Sequence, residues 1–328
     1  MSVEIIGIGH CLPKKIETNE ELCKNLSIEP DWILKKTGIK RRYLVDSDES
    51  ASSLAVKAST NAIEMFDIDK DEIDLIIVCT FSADYIFPPL SALLSRELGI
   101  SNPQIFDLQA NCAGLVAGLT VARDRLECED SYRKALVVGV EVNSKYIDRA
   151  DVDSCVYMSD AASAIVLSKE NNGFGYMGSA FSSDSSSYEA VRMRNGGSSY
   201  RSEFTSIEES ARYMEMNGIA TWKQAVTNLP RVMKKCVHNV DMTLEDIDFI
   251  VFHQANLNMI EYIVKKLKIG TEKTYTNVEE IGNSGSASVG VALSEAHGKK
   301  LIKKGDLVML AAVGAGFNFG ASLWKWGI

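Results

Sequence analysis

Asp71-Glu72-Ile73-Asp74-Leu75-Ile76-Ile77-Val78 returns later in the chain as Glu245-Asp246-Ile247-Asp248-Phe249-Ile250-Val251-Phe252. Each copy joins an acidic turn to a short run of β-branched and aromatic residues, the composition of a strand buried on both faces. Each follows an amphipathic helical stretch, Ser53–Phe66 in the first case and Lys223–His238 in the second. A second pair of sites obeys the same shift: 245 − 71 and 286 − 112 both give 174, so Ser286 stands where Cys112 stood. Both lie in small-residue turns before helical patterns, Ala113–Leu126 and Ala287–Leu301. Strand-like runs follow at Ala135–Val140 and Leu307–Ala311, and again at Ala164–Ser168 and Ala321–Trp326. The chain therefore reads as two α/β halves of shared topology, residues 1–171 and 172–328, with the junction at Asn171-Asn172-Gly173. Alternating strands and helices predict a mostly parallel sheet in each half, joined by right-handed crossovers. A serine-rich stretch, residues 179–210, reads as an excursion over the face that carries the site.

Composition narrows the function classes. The chain has 328 residues, 46% hydrophobic and 24% charged, enough for two packed halves around a large core. A net charge of −9 argues against nucleic acid as a partner. No apolar run approaches the roughly 20 residues of a membrane span, and Met1–Ile8 lacks the form of a leader. The seven cysteines are scattered without a CxxC pair, so neither a disulfide framework nor a metal site is signalled. A reducing cytoplasm is the expected location.

Chemistry concentrates at strand ends, where sites of open α/β sheets collect. The strand-like run Ile105–Leu108 leads through Gln109-Ala110-Asn111 to Cys112-Ala113-Gly114. A thiol at a helix N-terminus meets unpaired N–H groups and the positive end of the dipole, which favours the nucleophilic thiolate. Phe252-His253-Gln254-Ala255-Asn256 follows the second-half strand directly, and Gly282-Asn283-Ser284-Gly285-Ser286 forms the turn opposite Cys112. Cys79, at the end of a buried strand, reads as core, and Ser286 as the small residue that its turn accepts.

In this order the motifs resemble the thiolase-fold condensing enzymes, and most closely β-ketoacyl-acyl-carrier-protein synthase III. The resemblance runs from Gly7-Ile8-Gly9 and Leu12-Pro13 through Trp32, Thr37-Gly38-Ile39, Phe87-Pro88, Cys112-Ala113-Gly114 and Asp160. It continues through His253-Gln254-Ala255-Asn256 and Gly282-Asn283-Ser284 to Gly314-Ala315-Gly316-Phe317. It implies a layered α-β-α-β-α sandwich and a two-step reaction without metal or organic cofactor. Cys112 takes the acyl group of a coenzyme A or carrier-protein thioester. His253 and Asn283 then support decarboxylation of a malonyl-acyl-carrier protein, and the carbanion attacks the acyl enzyme. The backbone N–H groups of Cys112 and Ala315 form the oxyanion hole. Trp32, Lys36, Thr37, Asn256 and Phe87 contact substrate, and Phe87 crosses a homodimer interface. Lys223, Lys265 and Lys266, with Lys268, form a basic patch for the acidic acyl-carrier protein.

Departures from the family pattern fall outside the catalytic set. Lys36 stands where arginine is usual and loses the planar fork that grips phosphate. The arginine expected before Asp160 is absent from the acidic stretch Ala150–Ser154, Asn258 replaces a docking arginine, and Val313 replaces phenylalanine before Gly314. This points to a specialised member. A relative that moves an acyl group to a hydroxyl or amine would use the same Cys112 and His253, with less need of Asn283. A non-catalytic partner subunit would lose the cysteine or histidine. The 3-hydroxy-3-methylglutaryl-coenzyme A synthase branch needs a glutamate within residues 79–89, where only Asp84 is acidic.

Overall fold

A computed structural model describes residues 2–198 and 209–328. In chain order the strands are β1 (Ser2–Cys11), β2 (Lys15–Thr18), β3 (Arg41–Leu44), β4 (Ile73–Cys79), β5 (Gln104–Leu108), β6 (Lys134–Val142), β7 (Asp160–Glu170), β8 (Gly175–Ser183), β9 (Val191–Met193), β10 (Met214–Met216), β11 (Phe249–Phe252), β12 (Leu307–Gly314) and β13 (Asn318–Lys325). The helices are α1 (Asn19–Cys23), α2 (Pro30–Thr37), α3 (Ala51–Glu64), α4 (Leu90–Leu98), α5 (Gly114–Cys128), α6 (Gly218–His238), α7 (Leu257–Leu267), α8 (Val278–Ile281) and α9 (Ser288–Gly298).

Two sheets carry the fold. The first has the order β1-β7-β6-β4-β5 and the second β11-β12-β13-β8. Read from the other end, the second repeats the first, with β8 for β1, β13 for β7, β12 for β6 and β11 for β4. Where β5 would recur, the described residues show an isolated parallel bridge between Ile250 and Thr274. The repeat seen in sequence is thus a repeat of sheets. The expectation of mostly parallel pairing is corrected: β4 pairs parallel with β5 and β6, and β11 with β12, but β7 and β13 pair antiparallel with both of their neighbours. The reason lies in the connections. Only residues 315–317 join β12 to β13, enough for a hairpin and far too few for a crossover.

Burial follows the two-residue period of the strands. Along β6, Ala135 and Val137 enter the core between the sheets, while Leu136, Val138 and Val140 face α3 and α4. Along β12, Val308, Leu310 and Ala312 face that same central core, while Met309, Ala311 and Val313 face α6 and α7. Helices α5 and α9 fill the space between the sheets. The expected α-β-α-β-α layering is present, and it explains why these strands are apolar throughout rather than alternating. Residues 179–183 of the expected excursion are instead the end of β8. The excursion begins at Asp184 and includes the ribbon of β9 and β10, and its residues 199–208 lie outside the described residues. Among the described residues no helix is long and apolar enough to cross a membrane.

Candidate active site

The two duplicated turns interlock at the centre. Strand β6 carries Gly139, where a Cβ would come within 2.7 Å of the Ser286 carbonyl oxygen. Strand β12 ends at Gly314, where a Cβ would run into the Ala110 carbonyl and the Ala113 nitrogen. Each half thus uses a glycine to admit the other half's turn. Asn111, at φ 50°, turns the chain into Cys112, and its Nδ2 donates to the Ala315 carbonyl at 2.9 Å. Asn accepts this left-handed conformation better than most residues. The Ser286 hydroxyl donates to the Cys79 carbonyl at 2.8 Å, which gives it the structural part expected of it. Cys79 is fully buried in the central core.

Cys112 lies in the short 3-10 turn before α5 and opens onto a cavity of about 280 Å³. Phe81, Met158, Val191, Met193, Met214 and Ala315 are among its walls. The thiol is pushed up to about 12, first by desolvation and then by the Glu141 charge, against its own backbone N–H. Burial thus works against the helix end, which favours the thiolate.

His253 follows β11, and its backbone N–H donates to the Ala311 carbonyl at 2.8 Å. Its ring is buried, with Nδ1 hydrogen-bonded to the Ser288 hydroxyl at 2.6 Å, so only Nε2 remains for a ligand. Desolvation holds the imidazole down at about 4, so it is neutral at physiological pH. Asn283 Oδ1 accepts from the Gly285 N–H at 3.0 Å, and its Nδ2 has no hydrogen-bond partner among the described residues. Asn283 lines a second cavity of about 780 Å³ with Lys36, Tyr157, Trp222, Asn256 and Met259. Gly285, two residues on, lines the Cys112 cavity, so one turn separates the two spaces.

The remaining candidates divide. Asn256 lines the second cavity and caps α7 by accepting from the Met259 N–H at 3.1 Å. Lys36 stands at that cavity with its Nζ 4.5 Å from the centre of the Trp32 ring and 3.0 Å from Asp153. The lysine substitution and the acidic stretch are therefore partners. Asn258 donates to the Lys35 and Lys36 carbonyls at 3.1 and 3.0 Å and so closes the end of α2. Thr37 is a correction. It is fully buried, its hydroxyl donates to the Ile33 carbonyl and accepts from the Ile39 N–H, and it lines neither cavity. Phe87 is 83% exposed and lines neither cavity. Lys223 and Lys265 are exposed on neighbouring helices, whereas Lys266 donates to the Val226 carbonyl and ties α7 to α6. Sequence reasoning missed Ser288 and the methionine walls. Ser288 follows a turn that was already singled out, but the walls become neighbours only in the fold.

Two stretches match profiles of one family: residues 106–185 the 3-oxoacyl-[acyl-carrier-protein] synthase III profile, and residues 237–326 its C-terminal profile. The β-ketoacyl-[acyl-carrier-protein] synthase III of Caldanaerobacter subterraneus is 36% identical over 98% of this chain and 97% of its own length. That of Syntrophomonas wolfei is 34% identical over 100% and 98%. The crystal structure of the Thermus thermophilus β-ketoacyl-[acyl-carrier-protein] synthase III superposes with a TM-score of 0.92 at 30% identity, covering 99% of both chains.

Proposed function

The chain belongs to the β-ketoacyl-[acyl-carrier-protein] synthase III family and is an acyltransferase of the condensing type, and on that premise we propose which residues carry the chemistry. The reaction uses no cofactor, and its substrates are coenzyme A and carrier-protein thioesters. Cys112 attacks the primer thioester, its proton leaves with the departing thiol, and the acyl group stays on sulfur. The backbone N–H groups of Cys112 and Ala315 hold the oxyanion, each worth about 3–4 kcal/mol. The malonyl thioester then reaches Asn283 through the second cavity, past Lys36, Trp32 and Asn256. It loses CO₂, and its enolate oxygen accepts from Nε2–H of His253 and Nδ2–H of Asn283. We assign the proton to Nε2 because the Ser288 hydroxyl then donates to Nδ1. The carbanion attacks the acyl carbonyl, the new C–C bond forms and the Cys112 thiolate leaves.

The observation that carries this assignment is the interlocked pair of turns. Cys112 and Gly285 share one cavity, while Asn283 of the same turn faces the other. We place the junction of the halves between residues 171 and 172, in the link between β7 and β8. Lys223 and Lys265 dock the carrier protein beside the second cavity. A homodimer is supported by Tyr85, Ile86 and Phe87, 69%, 89% and 83% exposed, three consecutive large apolar residues beside a groove of about 920 Å³. Seven free thiols suit a cytoplasmic location.

Intact-protein mass spectrometry tests the reading. Wild type incubated with acyl-coenzyme A and acyl-carrier-protein donors gains an acyl adduct that Cys112→Ala does not, and malonyl-carrier protein discharges it as a β-ketoacyl product. An adduct that discharges only to hydroxyl or amine acceptors would instead establish simple acyl transfer.

A further inference from the structure

Strand β6 is an apolar run broken near its end by Glu141, which is fully buried. Its Oε2 accepts from the Ser82 hydroxyl at 2.5 Å, the Thr80 hydroxyl at 3.3 Å and the Phe81 N–H at 3.4 Å. Its Oε1 has no hydrogen-bond partner among the described residues. On the opposite side the Gly285 backbone packs so closely that a Cβ there would lie 2.7 Å from Glu141 Cγ. The side chain thus wedges between the loop that carries Phe81 and the turn that carries Asn283 and Gly285. Phe81 and Gly285 are both walls of the Cys112 cavity. A buried carboxyl is costly to the extent that hydrogen bonds do not match it.

We propose that Glu141 is a positioning residue of this active site, one that locks the Phe81 and Gly285 walls of the Cys112 cavity together and sets a titratable carboxyl behind them. The inference rests on Cys112 being the nucleophile. Burial pushes the carboxyl up to about 8, against the hydrogen bonds that pull it down. Its charge pushes up, in part, the Cys79 thiol on β4, the Cys112 thiol in the turn before α5 and the Tyr146 hydroxyl in the turn after β6. Arg192, a cation that lines the Cys112 cavity, is paired with Glu189 and Glu215. Below about 8 Glu141 is neutral and Cys112 ionises without repulsion from it. Above that value the carboxylate opposes a second negative charge nearby.

The test is the rate of Cys112 alkylation by iodoacetamide, read on its own peptide, from about pH 6.5 to about pH 9.5. Glu141→Gln keeps the volume and an acceptor oxygen for Ser82, Thr80 and Phe81 but cannot gain charge. The variant is expected to match wild type within about twofold at the acid end and to exceed it about tenfold at the alkaline end, one unit of thiol pKa. A ratio that stays constant across the range means a structural role only and overturns the proposal. Should the variant not fold, wild type alone decides. Its logarithmic rate flattens above about pH 8 if Glu141 acts, and a slope that stays at one throughout overturns the proposal. Alkylation reads the thiol alone, so failure of the condensing assignment would show separately, in the acyl-loading assay.

Discussion

Asn283 makes the sharpest residue-scale test, because its two ends are already separated. Oδ1 is occupied by the Gly285 N–H, and only Nδ2 is left to donate. Asn283→Ala is expected to leave acyl loading of Cys112 intact and to slow condensation about 10²-fold or more, the usual cost of losing one such donor. Single-turnover mixing of pre-acylated enzyme with malonyl-carrier protein measures it, and equal losses in loading and condensation would contradict the assignment. The same assay checks His253. A neutral imidazole held at about 4 keeps the condensation step level from about pH 7 to about pH 5. An ordinary histidine would lose half its neutral form near pH 6.5. Cys112 and His253 were legible as residues, yet their protonation states were not. A thiol at a helix N-terminus reads as favouring the thiolate until the burial around it is known.

At the scale of elements, the ribbon of β9 and β10 walls one side of the Cys112 cavity. Met193 and Met214 are cross-strand partners, and both line the Cys112 cavity. Methionine adapts to irregular ligands. Arg192 and Arg194 both bond Glu215, which pins the ribbon in register. Met214→Trp is expected to reduce the loading rate of long acyl donors at least tenfold relative to acetyl, since each excluded methylene is worth about 1–3 kcal/mol. Competition between acetyl and longer donors, read as the ratio of adduct masses, checks it. In sequence β9 lies within the serine-rich stretch and β10 just beyond it, and each is only three residues long, too short for an alternating period to announce a strand. By contrast α6 was legible, since Lys223–His238 carries a clear apolar face, and the helix starts only one turn earlier, at Gly218.

At the scale of the whole molecule, the exposed Tyr85-Ile86-Phe87 segment is the feature that a lone chain leaves unexplained. Phe87→Asp is expected to convert a dimer into a monomer at micromolar concentration, measured by light scattering on a sizing column, because a charge at the centre of an apolar interface is strongly disfavoured. A wild-type chain that is monomeric at high concentration would remove the homodimer from the reading.

The repeat at 174 residues determined the duplicated halves, because a strand buried on both faces needs the same apolar run wherever it recurs. The motifs marked the candidate residues: Cys112 and His253 follow strands that the apolar pattern announces, whereas Asn283 stands in the turn after the short helix α8. Sheet direction was left to the tertiary structure, since an apolar run looks alike whichever way its neighbour points. So were the fate of Thr37, whose hydroxyl is consumed by Ile33 and Ile39, and the pairing of Lys36 with Asp153. The raised thiol of Cys112 and the burial of Glu141 also belong to the fold alone. Desolvation is a property of what surrounds a group, and the surroundings of these two come from segments far apart in the chain.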